Sequence, residues 1–144
     1  MQLAIGDIHG CLTSLETMLE VIQPGEGDLV VTLGDYVDRG PDSKGVIDRL
    51  LELKKLHNFI HLMGNNGIQM IRALETKVDC QRFLSDLCGG KDTLASYGGG
   101  FEDVPEAHWK FMRSAELYHE VGEFILVHAG VEAGIAVGEQ NSET

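Results

Sequence analysis

Cysteine is scarce: Cys11, Cys80 and Cys88 are the only three in 144 residues. An odd number without metal-type CxxC spacing excludes a disulfide framework and points to a reducing, cytoplasmic setting. Positive charge is scarce too. Eleven Lys and Arg stand against 23 Asp and Glu, a net charge of −12. That argues against nucleic acid and anionic membrane as partners. No apolar run approaches the roughly 18–20 residues of a membrane span. The opening MQLAIGDIHG lacks the basic flank and long apolar core of a signal peptide. Internal repeats and low-complexity segments are absent. What remains is 43% hydrophobic and 24% charged, enough for a single domain over residues 1–144. The surplus of carboxylates suits cation binding wherever several converge.

Apolar spacing supplies a frame. Gln2 to Ile5 reads as a short strand. Leu12, Leu15, Met18, Leu19 and Ile22 recur at three- and four-residue steps, one helix face closed by Pro24-Gly25. Leu29 to Leu33 is the near-continuous apolar run of a strand covered on both faces. Ser43 is expected to cap a helix that carries Val46, Ile47, Leu50, Leu51 and Leu53. Phe59 to Met63 predicts a third strand, and Ile68, Ile71 and Leu74 a third helix. This alternation predicts an α/β fold with a parallel sheet and crossover helices. Further on, residues 79–88 and Pro105 to Met112 predict short helices. Gly89-Gly90 and Gly98-Gly99-Gly100 bracket a short stretch and read as connections or substrate loops. Phe124 to Val127 predicts a fourth strand, and the tail from Gly138 is polar.

Polar residues follow each predicted strand: Asp7 and His9, then Asp35, Asp38 and Arg39, then Asn65 and Asn66, then His128. Parallel strands bring their carboxyl ends to one edge, where ligands bind, so Asp7, Asp35 and Asn65 are expected to converge. Carboxylates, imidazoles and a carboxamide oxygen suit Mn²⁺, Fe²⁺ or Zn²⁺. A carboxylate can bridge two ions, and a close pair of ions suits hydrolysis of phosphate esters. Arg39 has the planar fork that holds phosphate oxygens. His57, His61, His108 and His119 are expected to be structural, and Trp109 to pack.

These residues also carry a resemblance. GDIHG at 6–10, GDYVDRG at 34–40, GN at 64–65, GGKDTLASYGG at 89–99 and HAG at 128–130 resemble the signature of the calcineurin-like metallophosphoesterases. Within them the chain resembles the phosphoprotein phosphatase branch, and most of all the bacterial serine/threonine phosphatases. Symmetrical dinucleoside tetraphosphatases are close relatives of that branch. The resemblance implies a two-sheet sandwich flanked by helices, with a dinuclear site between the sheets. It implies that Asp7 and His9 bind the first metal, that Asp35 bridges, and that Asn65 and His128 bind the second. It implies phosphate contact by Arg39, and orientation of a catalytic histidine by Asp38. The cofactors would be two divalent ions, Mn²⁺ first, with Fe or Zn as alternatives. The substrate would be a phosphoprotein, hydrolysed by metal-activated water without a covalent enzyme intermediate, or a small phosphoester.

Two departures qualify this expectation. The family motif GNHE or GNHD is GNNG here, Gly64 to Gly67. Asn66 replaces the histidine that protonates the leaving alkoxide, and an amide can hydrogen-bond to Asp38 but cannot donate a proton. Gly67 replaces the acidic residue. Relatives also carry a further metal-binding histidine and a phosphate-binding arginine after the HAG segment. Residues 129–144 contain neither type, so the fold is expected to stop before its C-terminal strands, leaving a sheet edge and apolar surface uncovered. The expected activity is therefore impaired phosphomonoester hydrolysis. The alternatives are an inactive pseudophosphatase or fragment that binds metal and phosphate, and a dinucleoside tetraphosphatase or other small-molecule phosphoesterase.

Overall fold

The computed structural model describes residues 1–56 and 58–140. Strands β1 (Gln2–Ile5), β2 (Leu29–Thr32) and β3 (Asn58–His61) form a parallel sheet in the order β1-β2-β3. Ile5 pairs with Thr32, and Thr32 with His61. The three strands thus end in register, and the loops after them leave one edge together, as the alternation predicts. The central strand has the fully covered character its apolar run implies: Val30, Val31 and Thr32 are all buried.

The crossovers are helices α1 (Leu12–Ile22) and α2 (Ser43–Leu56). The stripe Val46, Ile47, Leu50 and Leu53 of α2 is buried in the core. Burying each such side chain contributes about 1.5–3 kcal/mol. Ser43 does not cap this helix. It is the first helical residue, buried, with its hydroxyl 3.2 Å from that of Thr93. The cap is Asp42, whose carboxylate accepts from the Gly45 N–H at 2.7 Å.

Four shorter helices follow: α3 (Asn65–Arg72), α4 (Lys77–Phe83), α5 (Gly90–Tyr97) and α6 (Glu106–Arg113). The stretch between the glycine clusters is α5, which packs on α2 and buries Thr93 and Leu94. Helix α4 begins before the expected 79–88 span and ends sooner, capped by the Thr76 side chain on the Asp79 N–H. His61 and His108 are buried and hydrogen-bonded, His61 Nε2 to the Phe111 carbonyl at 2.8 Å and His108 Nε2 to Asp48 Oδ1 at 3.0 Å. Trp109 packs in the core, and His119 pairs with Glu116 at 3.0 Å. The expectation for His57, and the tail beyond residue 140, lie outside the described residues.

The fourth predicted strand, β5 (Phe124–Val127), does not join the parallel sheet. It forms an antiparallel hairpin with β4 (Tyr118–Val121), which apolar patterning misses because YHEV has no apolar face. The hairpin is tied to the end of β3. The Met63 N–H donates to the Glu116 carbonyl at 2.7 Å, and the Glu116 N–H donates to the His61 carbonyl at 3.0 Å. Leu117, Phe124 and Ile125 are left exposed. Among the described residues no helix is long and apolar enough to cross a membrane.

Candidate metal centre

The site is assembled from the three loops that leave the sheet edge, joined by the end of β5. The loops are locked to each other by their backbones. The N–H groups of Ile8 and His9 both donate to the Asp35 carbonyl, at 3.0 and 2.9 Å, and that of Gly10 to the Tyr36 carbonyl at 2.9 Å. Gly64 lets the third loop approach the second: a Cβ there would run into the backbone nitrogen and Oδ1 of Asp35. His9, Asp35, Asp38 and Arg39 all hold left-handed backbone, with φ of 45°, 49°, 69° and 70°. Such conformations cost of order 1–3 kcal/mol each and cluster at functional sites. Here the interloop hydrogen bonds maintain them.

Asp7, His9 and Asp35 each offer a ligand atom, and the three atoms lie within 4.8 Å of one another. His9 Nε2 is 3.6 Å from Asp7 Oδ2 and 3.7 Å from Asp35 Oδ2. Donors held about 2.1 Å from one ion sit no more than about 4.2 Å apart, and both contacts meet that spacing. Asp35 Oδ2 also faces His128 Nε2, at 3.5 Å, while its Oδ1 accepts the Asn66 N–H at 3.0 Å. One carboxylate oxygen therefore stands between two imidazoles.

The ring orientations suit ligation. His9 Nδ1 lies 3.0 Å from the Val37 carbonyl and His128 Nδ1 lies 3.0 Å from the Leu33 carbonyl. Each Nδ1–H donates there, which leaves the Nε2 lone pair aimed at the carboxylates. The Asn65 Nδ2–H donates to Asn66 Oδ1 at 2.7 Å, turning Asn65 Oδ1 toward His128 Nε2 at 3.0 Å. The donor set thus fits divalent metal: Asp7, His9 and Asp35 on one side, Asp35, Asn65 and His128 on the other.

Asp38 is fully buried behind this set. Its Oδ1 accepts the Thr93 hydroxyl at 2.6 Å, and its own N–H donates to the Thr93 oxygen at 2.8 Å. Burial is the main reason its pKa rises to about 6, with the charge of Asp35 adding and the Thr93 bond opposing. Asp38 Oδ2 has no hydrogen-bond partner. The hydrogen bond that an amide at position 66 could offer it is not made. The Asn66 amide is occupied on one side by Asn65 and lies 3.4 Å from His9 Nδ1 on the other. Gly67 is buried in the first turn of α3. Arg39 is exposed, near enough to Asp38 to pull against the rise in its pKa.

Thr93 is the positioning residue that sequence reasoning missed. The segment GGKDTLASYGG was visible, but no spacing rule connects Thr93 with Asp38 across 55 residues. The carbonyls of Leu33 and Val37 were equally hidden, since backbone atoms leave no trace in residue identity.

Comparison with known proteins agrees with this architecture. The family model for calcineurin-like phosphoesterases matches residues 3–141, and the chain belongs to that family. A symmetrical bis(5'-nucleosyl)-tetraphosphatase of Ralstonia nicotianae is 32% identical over 130 residues, covering 89% of this chain and 41% of the relative. The enzyme of that name from Nitrosospira multiformis is 28% identical over 131 residues, covering 89% and 42%. Serine/threonine-protein phosphatase 1 of Salmonella typhimurium is 36% identical over 87 residues, covering 60% and 37%. A crystal structure provisionally described as a diadenosine tetraphosphatase superposes on 98% of this chain and 55% of its own, with TM-score 0.72 and 22% identity. The chain has the metallophosphoesterase fold, and it spans about two-fifths of the length of the tetraphosphatases it matches.

Proposed function

We propose that the chain supports metal-dependent hydrolysis of phosphoanhydrides, with dinucleoside polyphosphates as the substrate class. The observation that carries this reading is the placement of Asp35 Oδ2 within 3.7 Å of both His9 Nε2 and His128 Nε2. Asp7, His9 and Asp35 would hold one divalent ion, and Asp35, Asn65 and His128 a second. Mn²⁺ is the first choice for this oxygen and imidazole set, with Fe or Zn as alternatives. When bound, such a pair lowers the pKa of water and neutralises phosphate charge. Arg39 is assigned to the substrate phosphate. Asp38, held by Thr93, fixes the loop that presents both Asp35 and Arg39. On this reading residues 1–144 form one domain.

The substrate class follows from the leaving group. Position 66 has no proton to donate, and loss of a general acid costs roughly 10²–10⁴ in rate. A serine alkoxide leaving group bears that cost in full. A nucleoside polyphosphate leaves as a stabilised anion and needs little protonation. The tetraphosphatase relatives, which align over most of the chain, support the same choice. The protein-phosphatase reading is favoured by the Salmonella relative, over a shorter stretch. Asn66 and the unpartnered Asp38 Oδ2 favour a second reading, a protein that binds metal and phosphate without turnover.

The test is Mn²⁺-dependent hydrolysis of diadenosine tetraphosphate, an aryl phosphate and a phosphoserine peptide, with Asp35→Asn as the blank. Turnover of the first two, absent in the blank, is expected, with the peptide far slower. Rates equal to the blank for all three would leave the binding protein. A peptide rate matching the tetraphosphate rate would return the protein-phosphatase reading.

A further inference from the structure

We propose that the cavity beside the metal centre seats a nucleoside diphosphate, the arm of the substrate that departs, with Arg82 as a phosphate-binding residue and Tyr118 against the nucleoside. This rests on the phosphoanhydride reading above and extends it from the reacting centre to the rest of the ligand. The cavity has a volume of about 340 Å³ and is bordered by Asn65 and His128, so whatever fills it touches the second half of the donor set. Ligand sites begin at about this size.

The two walls differ in chemistry. One is a single face of α3, where Asn65, Ile68, Gln69 and Arg72 recur at steps of three, one and three residues. At 1.5 Å per residue, Arg72 stands about 10 Å along the axis from Asn65. Arg82 of α4 also lines the cavity, as does Asp79 of the same helix. The other wall is the β4–β5 hairpin, which contributes Val127 and Tyr118. A ligand with an anionic chain at one side and a flat, mostly apolar ring at the other matches this division.

The distribution of arginine points the same way. The chain has five, within a net charge of −12. Arg49 pairs with Glu16 and Glu52, and Arg113 lies over the Trp109 ring. Arg39 stands beside the centre and Arg82 lines the cavity. An acidic protein that takes a polyanion must set its few cations along the path of that anion. Arginine, with its bidentate fork, is the suited residue.

The experiment measures binding to the full chain in EDTA, so that turnover plays no part. Calorimetric titrations use ADP, pyrophosphate, inorganic phosphate and a phosphoserine peptide. ADP is expected to bind more tightly than inorganic phosphate. Arg82→Ala should weaken ADP and pyrophosphate about tenfold or more, the scale of one lost charge-assisted bond, and leave inorganic phosphate unchanged. Tyr118→Ala should weaken ADP alone. Arg82 is exposed, so its replacement leaves the fold intact. ADP affinity unaffected by Arg82→Ala, or a phosphopeptide that binds with the Arg82 dependence expected of ADP, overturns the proposal. Failure to hydrolyse diadenosine tetraphosphate, with Arg82-dependent ADP binding intact, would overturn the catalytic reading and keep this site.

Discussion

The two halves of the donor set rest on unlike foundations. Asp7, His9 and Asp35 leave a three-stranded sheet whose central strand is covered on both faces and whose helix α2 buries Val46, Ile47 and Leu50 completely. His128 leaves a two-stranded hairpin on which Phe124 is 68% and Ile125 49% exposed. Its ring is held between the Leu33 carbonyl and Asn65 Oδ1, each at 3.0 Å. The charge differs as well. The first set has two carboxylates and an imidazole; the second shares Asp35 and adds a neutral amide and an imidazole. A metal centre can thus be strong on one side and conditional on the other, even though both sides meet at a single carboxylate oxygen.

That asymmetry can be broken at its shared point. Asp35→Asn should abolish binding of both Mn²⁺ ions, whereas His128→Ala should leave one, as read by the stoichiometry of a calorimetric titration. Loss of both ions in the His128 variant would show that the hairpin and the sheet do not act separately. The next effect in size belongs to the sheet side. Asn66→His with Gly67→Glu gives Asp38 Oδ2 a donor and returns a general acid. Hydrolysis of an alkyl phosphate should rise about 10²–10⁴-fold, with a much smaller gain for diadenosine tetraphosphate. A uniform gain across leaving groups would show that the new histidine binds substrate rather than donating a proton.

Stability should divide along the same line. Ile47→Ala creates a cavity in the covered region and should cost about 2–5 kcal/mol in urea denaturation. A pH effect of smaller size comes from Asp38. Its folded pKa of about 6 lies above the ordinary carboxylate value, so the folded state keeps a proton that the unfolded chain has released. The contribution is fully present below about pH 4 and is lost as pH rises toward 6. Asp38→Asn should therefore flatten the fall in stability between pH 4 and 6. Phe124→Ser on the exposed hairpin should change stability least, by no more than about 0.5 kcal/mol. A large loss there would mean that the hairpin is packed in solution against something that covers it.

Much of the first half was legible from residues alone, because each element there is specified locally. Helix α1 was expected and found over Leu12–Ile22, since its apolar residues repeat at helical steps. Parallel pairing of β1, β2 and β3 followed from strand–helix alternation. The errors have a common form. Ser43 was expected to cap α2, but the cap is Asp42, because Ser43 is drawn inward by Thr93. Strand β4 was unseen, because its own sequence is polar and its place is set by the adjacent β5 and by the backbone bonds of Glu116 to the β3 end. Asn66 has the capacity to hydrogen-bond Asp38, yet its amide is engaged by Asn65 and lies beside His9.

The sequence by itself therefore determined the family, the parallel sheet and the identity of the candidate ligands, since short motifs after apolar runs encode all three locally. Only the tertiary structure decided that one oxygen of Asp35 faces both imidazoles, and that the Leu33 and Val37 carbonyls set the ring orientations. It also decided that Thr93 holds Asp38 and that Asp38 Oδ2 stands without a partner. These are contacts between segments 26 to 95 residues apart. They depend on how loops pack against one another at the sheet edge, a property that no local pattern of residues carries.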